Sequence, residues 1–108
     1  MNITDEAVDG ATVAHLEGNL DTTTAPEVQA RFDGLIEAGT TTLVADFGAV
    51  DFVSSAGLRV LLATAKKLRP NGALRLFGLN PSVREVFDVS GFSTIIPIFD
   101  DQAAALAG

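Results

Sequence analysis

The residues best suited to chemistry lie in the run Asp51-Phe52-Val53-Ser54-Ser55-Ala56-Gly57-Leu58, where two hydroxyls stand at the junction between a β-prone segment and a helical one. A serine at such a junction caps. Its oxygen accepts a hydrogen bond from a first-turn N–H that has no intrahelical partner, worth about 1 kcal/mol. One of the two serines is expected to do this. The same junction also accommodates a phosphate, because unpaired N–H groups and the helix dipole favour an anion. The small neighbours Ala56 and Gly57 keep the serines open to another protein. A second polar group, Asp21, follows Gly18-Asn19-Leu20, and its ordinary role is that of a loop or cap residue. In a parallel sheet the carboxyl ends of the strands share one rim, so Asp21 and Ser54-Ser55 are expected on the same edge.

Recognisable catalytic arrangements do not appear in the chain. Ser55 has no glycine two residues before it, so it is not a nucleophile elbow. There is neither a lysine-bearing phosphate loop nor a dinucleotide glycine fingerprint. The single histidine, His15, falls inside a predicted strand, as a packed or surface residue and not a general base. Asp100-Asp101 forms an acidic pair near the end of the chain, of the kind that is usually solvated and not metal-binding. No enzyme activity, cofactor or metal is expected.

The elements that must position these groups follow from periodicity. Ile3 to Val8 and Thr12 to Leu16 read as two strands joined at Gly10, a hairpin. Residues 18–24 read as a polar loop before Pro26, which suits a first helical turn. Val28, Phe32, Leu35 and Ile36 then share one helical face, and Gly39 ends it. Thr42 to Phe47 is a central strand, with Gly48 to Val53 leading to the serines. Leu58, Leu61, Leu62, Ala65 and Leu68 form the apolar stripe of a second helix that stops at Pro70-Asn71-Gly72. Leu74 to Phe77 is a strand, Asn80-Pro81 opens a third helix that ends at Gly91, Thr94 to Phe99 is an edge strand and Asp100 to Ala107 a short last helix. The order β-β-α-β-α-β-α-β-α implies an α/β fold: one domain over residues 1–108, a mixed, mostly parallel sheet of four to five strands with an antiparallel edge hairpin, and four helices.

Bulk properties narrow the partners. With 47% apolar and 19% charged residues, the chain has the means to fold on its own core and is not disordered. The absence of cysteine excludes a disulfide scaffold and thiolate metal sites. No apolar run is long enough to span a bilayer, and the N-terminus lacks a signal-peptide layout, so a cytoplasmic protein that does not engage a membrane is expected. A net charge of −7 disfavours nucleic acid. The charge is segregated: residues 1–51 carry ten acids and one base, Arg31, whereas residues 59–84 carry six bases. Such polarity can orient a protein partner, although helix faces of this kind are also often merely solvated.

Three blocks together resemble the anti-sigma factor antagonists, bacterial members of the STAS domain family (sulfate transporter and anti-sigma antagonist). They are Leu16-Glu17-Gly18-Asn19-Leu20-Asp21, then Phe52-Val53-Ser54-Ser55-Ala56-Gly57-Leu58, and residues 80–92, in order across nearly the whole chain. The resemblance implies that Ser55 is the residue phosphorylated by a partner kinase and that Asp21 lies near it. It also implies that Asp21, Thr22, Ser54, Ser55, Ala56, Gly57 and Arg59 meet the partner. Ser54 stands where the family carries aspartate and Ala56 where it carries serine or threonine. Both departures remove polar groups beside the hydroxyl and leave Ser54 as an alternative acceptor. The implied function is transcription regulation by partner switching. The unphosphorylated protein binds an anti-sigma factor that is also a serine kinase, phosphorylation ends the complex, and a phosphatase resets it. The chain itself is expected to be a monomer or weak dimer. The alternative is a constitutive STAS scaffold or adaptor, in which Ser55 is only a cap.

Overall fold

A computed structural model describes residues 1–108. Its elements follow the expected order: β1 (Asn2–Val8), β2 (Ala11–Leu20), α1 (Ala25–Glu37), β3 (Thr42–Val53), α2 (Ser55–Leu68), β4 (Ala73–Phe77), α3 (Pro81–Ser90), β5 (Ile98–Phe99) and α4 (Gln102–Ala107). The strands lie side by side in chain order, β1 antiparallel to β2 and the others parallel. This order dictates the layers. Three successive right-handed crossovers that step the same way across a sheet must all lie on one face. α1, α2 and α3 therefore cover that face and bury a cluster of 21 residues, including Leu20, Val28, Phe32, Leu43, Phe47, Leu61 and Phe87. The opposite face is closed only at one end. There α4 sets Ala105 against Ala11, Val13, Val44 and Phe77, a cluster of five.

Four boundaries depart from the sequence reading. β2 does not end at Leu16 before a polar loop; it continues to Leu20, with register shifts on either side of Glu17-Gly18 and Gly18 at φ +117°. β3 likewise does not stop at Phe47 but runs to Val53. The two extensions sustain each other: Asn19 pairs with Phe52 and Leu20 with Val53, whereas β4 pairs with β3 only as far as Asp46. Gly48, Ala49 and Asp51 have weak strand propensity, and it is this tertiary pairing that makes the segment extended. At the other edge β5 is only Ile98–Phe99, not Thr94–Phe99. Residues Phe92–Thr94 form a 3-10 turn behind the left-handed Gly91, held by the Thr94 hydroxyl donating to the Gly91 carbonyl at 2.7 Å. Asp100 lies outside the last helix. Asp101 caps it, Oδ1 accepting from the Ala104 N–H at 2.9 Å, and this gives the acidic pair a structural role.

The third helix is anchored by Phe87, fully buried and edge-on to Phe47 with ring centroids 6.3 Å apart. Truncating a buried phenylalanine removes its transfer energy and leaves a cavity. Phe87→Ala is expected to lower unfolding stability by about 3–5 kcal/mol in urea denaturation. A loss under about 1 kcal/mol would mean that α3 contributes little to the core.

Candidate functional site

The two serines at the head of α2 have separate roles. Ser54 is the cap. Its backbone is extended, its Oγ accepts from the Gly57 N–H at 3.3 Å and its carbonyl from the Leu58 N–H at 3.0 Å. Ser55 is the first helical residue, exposed, and its hydroxyl has no partner within the chain. The N–H groups of Ser55 and Ala56 lie in the first turn, where an α-helix supplies no acceptor. Ala56 is half-buried, Leu58 is buried, and Arg59 points outward without an ion pair.

This turn is bolted to the end of β2. The Ser54 N–H donates to the Leu20 carbonyl at 2.9 Å. Gly57 lies against the same residue: a Cβ there would sit 2.9 Å from the Leu20 carbonyl oxygen and 2.7 Å from its Cγ. Glycine is needed at 57 for this approach, not for an unusual dihedral. The residue after Leu20 is Asp21, so the expected common rim exists, and Asp21, Thr22, Ser54, Ser55, Ala56, Gly57 and Arg59 all belong to the two segments that meet at this contact.

Asp21 is engaged locally. Its Oδ1 accepts from the Thr23 hydroxyl at 2.7 Å, the Thr23 N–H at 2.9 Å and the Thr24 N–H at 3.2 Å. These bonds, the Thr23 hydroxyl foremost, hold its carboxyl below the usual aspartate range. The Thr24 hydroxyl donates in turn to the Asn19 carbonyl at 2.7 Å. Asp21 therefore organises the entry into α1 and makes no hydrogen bond to either serine. Thr22 is exposed. Because the strand order never reverses, the rim has no crevice between diverging crossovers of the kind in which doubly wound folds hold small ligands.

The sequence reading gave no partners for His15. On the face opposite α1, α2 and α3 its Nδ1 donates to Asp46 Oδ2 at 2.6 Å and its Nε2 faces Glu6 Oε1 at 3.2 Å. Neutral imidazole has one N–H, and only imidazolium donates to both acids. The Asp46 bond, then the Glu6 bond, raise the His15 pKa. Asp46 Oδ1 is taken by the Gly48 N–H at 2.8 Å. The signal was available once β2 and β3 were aligned, since His15 pairs with Asp46. The segregated charges are also largely committed inside the molecule: Arg31 to Asp5 at 2.7 Å, Lys67 to Asp33 at 2.6 Å, and Arg75 to the Ala105 carbonyl at 3.2 Å.

Two outcomes follow from this geometry. Gly57→Ala gains about 1 kcal/mol of helix propensity but must push α2 away from Leu20, at about 1–3 kcal/mol. A net loss in urea-unfolding stability is expected, and a net gain would show that the contact is not tight. For His15, a folded pKa above the unfolded value means that the bridge's stabilisation is fully present below about pH 6.5. It is lost as pH rises through the folded pKa. NMR titration of the imidazole should give a midpoint above that of a free histidine, and Asp46→Asn should lower it. An Asp46→Asn midpoint equal to wild type would refute the assignment.

Comparison with known proteins extends the geometry. The family model for the STAS domain matches residues 2–105. A Bordetella bronchiseptica protein named "Putative anti-sigma factor antagonist BtrV" is 41% identical over 108 residues, covering 99% of this chain and 93% of the relative. The crystal structure of an anti-sigma factor antagonist from Mycobacterium paratuberculosis superimposes with a TM-score of 0.92 at 27% identity, over 98% of this chain and 91% of that one. The anti-sigma factor antagonist SpoIIAA in its unphosphorylated form gives a TM-score of 0.80 at 25% identity, over 95% of this chain and 92% of that one.

Proposed function

The chain belongs to the STAS domain family, among its anti-sigma factor antagonists, and we propose that phosphate on Ser55 switches its hold on an anti-sigma factor that is also a serine kinase. The observation that carries this reading is the division of labour at the head of α2. Ser54 is occupied as the cap, whereas Ser55 is exposed with an unengaged hydroxyl. A kinase can reach Ser55 without undoing the helix, and Ser54 is the poorer acceptor because its modification would cost the cap.

The electrostatics support a switch that acts at the interface and leaves the fold intact. A phosphoryl group adds about −1.5 to −2 charges at pH 7. In the free protein it sits over the positive end of α2, where first-turn N–H groups can receive it. In a complex the same charge would be buried near the Asp21 carboxylate, and desolvation plus repulsion would then oppose binding. About 3 kcal/mol would lower affinity roughly a hundredfold. Exposed Arg59, one turn along α2, would face an acidic group of the partner. A phosphatase returns the protein to its binding form.

Phosphopeptide mapping of the protein from its native cells, across growth and stress conditions, should find phosphate on Ser55 in amounts that vary with condition. Ser55→Ala should bind the anti-sigma factor permanently, and Ser55→Asp should bind about a hundredfold more weakly. Equal affinity of the two variants, with Ser54 and Ser55 unmodified throughout, would leave a constitutive adaptor as the function.

A further inference from the structure

The face of the sheet opposite α1, α2 and α3 is only half covered. α4 closes its lower end, and above it the extensions of β2 and β3 continue past the end of β4 with no helix over them. At the top stands Phe52. Val53 beside it is 3% exposed and points into the helical core, so strand alternation turns Phe52 to the open side, where it is 52% exposed. A lone exposed apolar side chain is ordinary on a monomer. This one lies three residues from Ser55 and is paired across the ribbon with exposed Asn19. Glu17 and Asp51, on the same two extensions, are exposed and take part in no ion pair.

We infer that Phe52 is a docking anchor that seats in an apolar pocket of the anti-sigma factor, with lysine or arginine side chains of that partner meeting Glu17 and Asp51. The identity of the partner rests on the reading of Ser55; the anchor rests on this surface. Aromatic residues are enriched at interface centres, and a rim of unpaired acids selects a basic surround. Charge also argues against the other occupants. A second copy of the chain, related by a two-fold axis at Phe52, would bring Glu17 and Asp51 against the same acids of its partner, in a protein of net charge −7. An anionic lipid surface would repel the patch for the same reason. The interface would thus wrap the rim, with the head of α2 on one side and the open ribbon on the other.

The test is calorimetric titration of each purified anti-sigma factor of the source organism with wild type, Phe52→Ala, Phe52→Leu, Glu17→Lys and Ser55→Asp. Phe52→Ala is expected to bind about thirtyfold more weakly, the scale of a hot-spot residue, with Phe52→Leu between it and wild type. Glu17→Lys should weaken binding and reduce its salt dependence. Because Phe52 is half-exposed, both variants should melt like wild type. Phe52→Ala binding within twofold of wild type overturns the anchor, whatever Ser55→Asp does. Ser55→Asp binding like wild type overturns the switch and leaves the anchor standing. A wild-type dimer in sedimentation that Phe52→Ala dissolves overturns the proposal in favour of a second copy, and binding to no anti-sigma factor overturns both readings.

Discussion

Leu20 and the first turn of α2 lie so close that a single methyl group does not fit between them. Much of the rest is arranged around this contact. One carbonyl, that of Leu20, takes the Ser54 N–H, and the same residue's side chain is covered by Gly57. The contact ends β2 and β3 at the same height, fixes where α2 begins, and so sets which serine caps and which faces solvent. Asp21 starts the next turn from the other side of the same residue. The rim is defined by backbone-to-backbone approach, which is stiffer than any arrangement of surface side chains.

Strand order contributes a second constraint. A sheet whose strands run in chain order sends every right-handed crossover to one face. Three helices therefore crowd one side, and a six-residue helix is left to shield the other. The His15 bridge to Asp46 and Glu6 lies on this thinly covered side, joining β1, β2 and β3 where no apolar layer does so. Exposed ion pairs contribute little individually, so its effect is to hold the edge strand in register more than to stabilise the fold as a whole.

Element types and order were legible in the sequence because they rest on local signals: the apolar stripe from Val28 to Ile36, the Asn80-Pro81 start, the Gly91 stop. The rim was legible from the parallel-sheet rule, and the pair of serines from their place before a helical stripe. What the sequence hid was tertiary in origin. Gly48, Ala49 and Asp51 do not favour a strand, and residues 18–20 read as a loop; each becomes extended only because the other is there to pair with. Thr94 and Ile95 read as strand, yet Gly91 and the Thr94 hydroxyl bond curl the chain into a 3-10 turn that Ile95 ends, and Ile96 drops into the core. Which serine caps could not be read from two identical neighbours, since it depends on where Leu20 halts β3.

The two margins of the sheet bear on how the protein behaves when crowded. An open strand edge is a template on which further chains can add and grow into fibres. Here one margin is β5, only two residues long, and the other is β1, whose centre carries Asp5 and Glu6. A strand approaching the first finds too little ladder to extend, and one approaching the second meets charge it would have to strip of water. The fold is thereby protected against edge-to-edge polymerisation at both margins, and recognition by strand addition is discouraged in favour of contacts made by side chains at the rim.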